Sequence, residues 1–447
     1  MKHVLRCGAI ALSLLATSSW NAGCSSDSGS VQDSPDVATD QAAEDTLTPD
    51  AQEIRGETEP DTAAGEDLPV FEVDDTPGCG PEFCAAGPDS APDPSTWGPF
   101  PVGVTTMMVD SVDHQGKPRK LRVEVWYPTT DEFKDGPFET IDIYEDAPEE
   151  MKEYLVKFKD LVPPIETRSV RDAPARHGDA PYPMVLFSHG AYGVRYQSVF
   201  FTIYLASHGY VVAAPDHTKN TLYDILGPEG YNMDDVILSA LDRPYDAVVT
   251  LTSVLSRSKD PEDFLYGMMN EKKVGMSGHS FGGFLSLLMA VLDARIKVAV
   301  PMAPATGWLG AVGYPPEKIT IPVMVMCGLA DKTLTPEQEM LPVWPKLNPP
   351  KAFLKFPKGG HYTFSDICQL DLETLAEEAN FGDAEDAIED GCGPENVPVE
   401  EAHPIIRQMG IGIFNYYLRD SPGSMEYFDA QAAEALGDKV IYDIEMQ

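Results

Sequence analysis

The chain has 447 residues, with 72 acidic against 32 basic side chains and a formal net charge of −40. That balance excludes the basic patches by which proteins hold nucleic acid, and it disfavours charge-driven docking on anionic lipid. Hydrophobic residues make up 43% of the sequence, ample for a core, and beyond the first residues no stretch reaches the roughly 18 apolar residues of a membrane span.

The N-terminus has the pattern of a targeting segment. Lys2 and Arg6 precede a short apolar run, Ala9 to Ala16, and then Asn21-Ala22-Gly23-Cys24. The tetrapeptide resembles a bacterial lipobox at Ala22, Gly23 and Cys24 and departs from it at Asn21. The resemblance implies a signal peptide over residues 1–23 and lipid attachment at Cys24, with Ser25 suiting the outer membrane. An ordinary signal peptide is the alternative. Residues 24–95 hold one basic residue, Arg55, against nineteen acids. They cannot bury enough apolar surface to offset their ordering entropy, so a disordered acidic tether is expected.

The folded domain is expected over residues 96–447. Val102 to Val109 and Leu121 to Tyr127 alternate like antiparallel strands, with a turn at Gln115-Gly116-Lys117. Residues 131–180 are polar and mixed. They are expected to form an insertion near the site mouth, with a helix over Glu149 to Lys159. Short apolar strands then alternate with helices. Strands are expected at Met184–Ser188, Tyr210–Ala214, Val274–Met276, Lys297–Val300, Val323–Cys327 and Ala352–Phe356. Helices are expected at Val199–Ser207, from about Pro244 to Arg257 with Asp246 in the first turn, and from about Pro404 to Leu418. A second insertion covers about 365–400. This pattern predicts an α/β domain with a mostly parallel sheet, helices on both faces and antiparallel N-terminal strands. Sites in such sheets lie at the carboxyl ends of the strands.

Seven cysteines are present. Cys327 ends an apolar run and reads as a buried free thiol. Cys368 with Cys392, and Cys79 with Cys84, are candidate disulfides in an exported protein. No second ligand pair accompanies Cys79 and Cys84, so no metal site is expected.

The chemistry centres on Gly278-His279-Ser280-Phe281-Gly282. A strand leads into this G-x-S-x-G sequence and a helix leaves it, the setting of a nucleophile elbow. The serine is inert without a base, so a histidine and an acid are expected later in the chain. Asp331 follows the Val323–Cys327 strand and His361 follows the Ala352–Phe356 strand, which completes the order Ser, Asp, His. Asp293 and Asp366 are the rival acids, and His403 is the other downstream histidine. The oxyanion donors are expected to be the backbone N–H groups of Phe281 and of Ala191, with Tyr192 as the fallback. His189 reads as structural. Asp216-His217 is expected to rim the pocket, and Arg243 and Asp246 to form a local ion pair. Met268, Met269 and the aromatics near Trp308 read as core or pocket lining, and Glu377 to Glu389 as a solvated surface.

Phe187-Ser188-His189-Gly190, the run Leu205 to His217 and Gly278 to Gly283 resemble the platelet-activating-factor acetylhydrolase and dienelactone-hydrolase-like branch of the α/β-hydrolases. Pro101 to Val104 and Val123 to Pro128 are similar to its entry strands, so the resemblance spans roughly residues 97–420. It implies a serine carboxylic-ester hydrolase of the acetylhydrolase type. The eukaryotic acetylhydrolases carry their acid after the strand that follows the elbow helix, where this chain has Pro301-Met302-Ala303-Pro304. Asp331, one strand later, resembles instead the bacterial cutinase-like polyester hydrolases. The substrate implied is a small ester, a lipid or a polyester. No cofactor and no metal are called for, and membrane contact is implied only through the N-terminal lipid. A serine peptidase or amidase, or a surface lipoprotein that binds without catalysis, are the rival functions.

Overall fold

The computed structural model describes residues 91–447 apart from 229 and 379–381. The expected signal peptide, Cys24, all but the end of the acidic tether, and the Cys79/Cys84 pair lie outside the described residues.

Twelve strands follow in chain order: β1 (Val102–Val112), β2 (Pro118–Pro128), β3 (Thr140–Ile141), β4 (Ile165–Glu166), β5 (Ser169–Arg171), β6 (Tyr182–Ser188), β7 (Val211–Pro215), β8 (Met269–His279), β9 (Ile296–Met302), β10 (Val323–Gly328), β11 (Lys351–Phe356) and β12 (Ile441–Glu445). Ten of them form one sheet in the order β12-β11-β10-β9-β8-β6-β7-β2-β1-β5. From β7 through β6, β8, β9 and β10 to β11 the pairing is parallel, while β1/β2, β2/β7 and β11/β12 are antiparallel. The mostly parallel sheet with antiparallel N-terminal strands is as expected. The order of strands reverses between β6 and β8. In an open α/β sheet that reversal opens a crevice at the carboxyl ends, where ligands bind.

The four principal helices are α1 (Val199–Ser207), α2 (Met233–Arg257), α3 (Phe281–Leu292) and α4 (Val399–Leu418). Period-two alternation along the strands divides the core between the two faces. Val185 and Phe187 of β6 join the cluster beneath α1 and α4, whereas Met184 and Leu186 pack with Ala247, Leu251 and Val254 of α2. Both faces of β6 are therefore buried, which is why it reads as an unbroken apolar run.

Two expected helix starts are corrected. Helix α2 begins at Met233, capped by the Asn232 side chain, and runs straight through Pro244. A proline forfeits one hydrogen bond, but the apolar face from Val236 and Ala240 to Leu251 and Val254 stays buried on both sides of it, and packing overrides the local cost. Asp246 consequently lies mid-helix and not in a first turn. Helix α4 likewise starts at Val399, placing His403 inside it, with its ring stacked on Phe200 at 3.6 Å.

The expected helix over Glu149 to Lys159 is broken into single turns at Glu149–Met151, Lys152–Leu155 and Val156–Phe158. The insertion that carries it extends one edge of the sheet. It adds β5 to the outer edge of the sheet beside β1 and ties Asp146 to Arg122 and Arg195.

Candidate active site

Strand β8 ends at His279 and α3 starts at Phe281, leaving Ser280 alone on the turn between them. Ser280 adopts φ 56° and ψ −115°, a conformation that a side-chain-bearing residue rarely takes. Its N–H donates to Met302 O at 2.8 Å, and its carbonyl accepts from Phe284 and Ala305 N–H, so the strained turn is held on both sides. The glycines of the motif are required by close approach. A Cβ on Gly282 would stand 1.9 Å from Ser188 O, and one on Gly278 would stand 2.5 Å from Gly282 O.

Asp331 follows β10, and His361 follows β11. The structure brings both to Ser280. His361 Nε2 lies 2.9 Å from Ser280 Oγ, and His361 Nδ1 lies 2.9 Å from Asp331 Oδ2. A carboxylate can only accept, so Nδ1 carries the proton and Nε2 is left to accept from the serine hydroxyl. Asp331 Oδ1 accepts from Leu334 N–H at 2.6 Å. Asp331 and His361 are each only 3% exposed, whereas Ser280 keeps partial access. Burial pushes the His361 pKa down, but the Asp331 charge and hydrogen bond together outweigh it and hold the ring above its ordinary value. Burial likewise pushes the Asp331 carboxyl up, against the pull of His361. The rival acids are engaged elsewhere. Asp293 pairs with Arg295, and Asp366 accepts from Phe200 N–H.

The loop after β6 faces the elbow. A Cβ on Gly190 would lie 3.3 Å from Ser280 Cβ. Tyr192 N–H donates to Asn220 O, which removes it as a donor to the cleft. Ala191 is exposed, and its N–H has no hydrogen-bond partner among the described residues. Phe281 N–H, at the start of α3, points with the positive end of the helix dipole. Gln197, which sequence reasoning missed, fixes this loop. Its Oε1 accepts from Gly190 N–H, and its Nε2 lies 2.7 Å from His279 Nδ1. His279 Nε2 in turn reaches His361 O at 2.9 Å. This pairing requires a neutral His279, and burial holds its pKa well below the usual imidazole value.

Beneath the loop the expected Arg243–Asp246 pair is replaced by a wider network. Arg243 is fully buried, and its guanidinium donates to Ser188 Oγ, His189 O, Gly190 O and Asn220 Oδ1. Asp246 pairs with Arg119 at 2.6 Å and with His217 Nδ1 at 2.9 Å. His217 Nε2 reaches Ser188 Oγ at 2.9 Å. Ser188, His217 and Asp246 are thus linked as Ser280, His361 and Asp331 are, but each is 1% exposed, so no substrate reaches them. Asp216 is held by Arg195 at 2.9 Å. His189 is structural, its ring held between Gly190 O and His217 N–H. Arg243→Met removes the guanidinium donors to the two loop carbonyls. It is expected to cost about 3 kcal/mol of stability and on the order of tenfold in turnover. Urea unfolding beside an ester assay checks this, and a variant as stable and as active as the parent would refute the role.

The expectations for Met268, Met269, Trp308, Cys327 and the Cys368–Cys392 pair are met. Met268 and Met269 are buried in the core. Trp308 packs edge-on against Phe281 with ring centroids 5.3 Å apart. Cys327 is a buried free thiol, with burial pushing its pKa up to about 12. Cys368 and Cys392 form a disulfide. Among the described residues, no cluster of acidic, histidine or cysteine side chains has the makings of a metal site. Asp390, one residue beyond the stretch read as solvated surface, is 3% exposed and bonded to the loops of Asp331 and His361.

Comparisons with known proteins fall on this frame in two overlapping parts. A family model described as platelet-activating factor acetylhydrolase, isoform II, matches residues 88–223. A PET hydrolase-like family model matches residues 185–374. The first spans the entry strands and the loop after β6; the second spans that loop together with Ser280, Asp331 and His361. A search of curated proteins gave no match. Among solved structures, a ferulic acid esterase from Streptomyces cinnamoneus superposes with a TM-score of 0.55 at 21% identity, covering 77% of this chain and 96% of that one. Its identity is low enough that the likeness concerns the fold.

Proposed function

We propose that this chain, an α/β-hydrolase acting on ester bonds, is a serine carboxylic-ester hydrolase in which Ser280 is the nucleophile, His361 the general base and Asp331 its orienting acid. The observation that carries the proposal is the unbroken line Ser280 Oγ–His361 Nε2, His361 Nδ1–Asp331 Oδ2, with both distances 2.9 Å. His361 takes the Ser280 proton as Oγ attacks the ester carbonyl. The N–H groups of Phe281 and Ala191 receive the oxyanion, which gathers charge at the mouth of α3. His361 then protonates the leaving alcohol. A water molecule, deprotonated by the same ring, attacks the acyl-enzyme and returns Ser280 with release of the acid. Asp331 fixes the imidazole tautomer and stabilises its cation in both halves.

The first test is a panel of p-nitrophenyl esters from acetate to long acyl chains, followed by pH profiles and by labelling with a fluorophosphonate. His361 must be neutral to accept the proton, and its pKa stands above the ordinary imidazole value. Activity as kcat/KM is therefore expected to rise with pH through neutrality and to level off on the alkaline side. Stoichiometric labelling at Ser280 is expected. A chain that hydrolyses no ester and takes no label is not this enzyme.

The match of the PET hydrolase-like family over residues 185–374, which carry all three groups, favours a second reading in which the ester belongs to a polyester or lipid. The same panel separates the readings, since the acetylhydrolase type favours acetate and the other retains or gains rate on long chains and polymer film.

A further inference from the structure

We propose that Asp390, carried by the segment that the Cys368–Cys392 disulfide closes, is a positioning residue that locks the Asp331 and His361 loops at their working separation. The proposal rests on the assignment of Ser280 and His361 as the reacting pair. Asp331 and His361 stand on loops after different strands, and the His361–Asp331 side-chain bond alone spans the gap between those side chains. Before these two residues the loop backbones meet directly, Leu329 N–H donating to Phe356 O and Ala330 N–H to Gly359 O, both at 2.9 Å. Asp390 adds the connection beyond Asp331. Its Oδ1 accepts from Lys332 N–H at 2.9 Å and from His361 N–H at 3.0 Å. Its Oδ2 accepts from Thr333 N–H and from Thr333 Oγ, both at 2.7 Å. One carboxylate thus ties the two residues that follow Asp331 to the backbone of His361. Four donors fill its lone pairs, and among the described residues it forms no ion pair.

The segment is built to hold that group. A Cβ on Gly360 would stand 2.3 Å from the Asp390 carbonyl carbon, so only glycine lets the two chains lie this close. Gly391 takes φ 139° and donates its N–H to Asn396 Oδ1, and Val397 N–H donates to Lys358 O. The disulfide joins Cys392, two residues past Asp390, to the turn that directly follows His361–Phe364. The acidic insertion is therefore stapled across the base of the site and presents one buried carboxylate to it.

Among the described residues, the titratable groups facing His361 include Asp331 at Nδ1, Asp390 at the backbone N–H, neutral His279 at the carbonyl and the Tyr362 ring edge-on at 5.4 Å. The Asp390 charge adds to the Asp331 charge in favouring the imidazolium. Asp390→Asn removes that charge and turns an NH2 group toward two of the donors, so two effects are expected. Turnover falls ~10- to 100-fold with KM within about twofold, because the loops lose register while the cleft does not. The acid limb of kcat/KM moves to lower pH, because the imidazolium loses support.

Thr333→Val, at an exposed position, removes one of the four donors and keeps the backbone. It is expected to lower kcat ~2- to 5-fold in the same manner. The low-field proton resonance of His361 Nδ1–H is expected to shift in Asp390→Asn, a readout that needs no substrate. Unfolding curves confirm that each variant is folded. An active parent with Asp390→Asn unchanged in kcat, acid limb and resonance overturns the positioning role alone. An inactive parent refutes the ester-hydrolase reading, and the resonance still decides the role of Asp390. If Asp390→Asn does not fold, an unaltered kcat in Thr333→Val overturns the proposal.

Discussion

Ser280→Ala is expected to lower kcat on p-nitrophenyl acetate by on the order of 10⁴-fold or more and to leave KM within a few-fold. The substitution deletes the one oxygen that His361 Nε2 addresses at 2.9 Å. It leaves in place the N–H groups at Phe281 and Ala191, the helix behind them and the buried ring. Any residual rate then measures what the cleft achieves with water alone. Stability is expected to change little, since serine and alanine pay a similar strain at φ 56° and the backbone bonds to Met302, Phe284 and Ala305 remain. Steady-state kinetics and the loss of fluorophosphonate labelling check the result. An unchanged rate means that another nucleophile does the chemistry.

The elbow was legible because its constraints are local. The glycines at 278 and 282 answer close approaches within a few residues, and an apolar strand and helix flank them in the chain. The Asp331 and His361 positions were legible from strand order, because the residues following short parallel strands must emerge on one sheet edge. Pro301-Met302-Ala303-Pro304, which carries no carboxylate where the resembled acetylhydrolases hold theirs, pointed the acid one strand further on.

What stayed hidden has partners distant in sequence. Arg243 and Asp246 are one helical turn apart, which suggests a local pair, yet their partners come from residues 188–190, 217, 220 and 119. No periodicity encodes that. Pro244 reads as a helix start because the rule it breaks is local, while the packing that overrides it is not. Asp390 is one acid among many in an insertion whose composition suggests solvent. Only the fold shows that its carboxylate is buried against the two loops.

Asp331→Asn is expected to lower kcat by ~10³- to 10⁴-fold while the protein stays folded. The size follows from which atoms accept. Asp331 uses Oδ2 for His361 Nδ1–H and Oδ1 for Leu334 N–H, so both oxygens face donors. Asparagine has one oxygen to offer. If it stays on Leu334 N–H, the amide NH2 faces His361 and forces the ring proton onto Nε2, which then cannot accept from Ser280. If the amide turns over, its NH2 meets the Leu334 N–H and the loop is disturbed instead. Loss of the charge also withdraws support from the imidazolium, so the acid limb of kcat/KM moves to lower pH. Asp390 cannot stand in, because each of its oxygens already serves two donors from the same loops. Kinetics across pH separate the effects: the tautomer penalty persists on the alkaline plateau, whereas the charge effect appears only in the limb. A variant within tenfold of the parent on that plateau, with an unmoved limb, would remove Asp331 from the set and reopen the search for the acid.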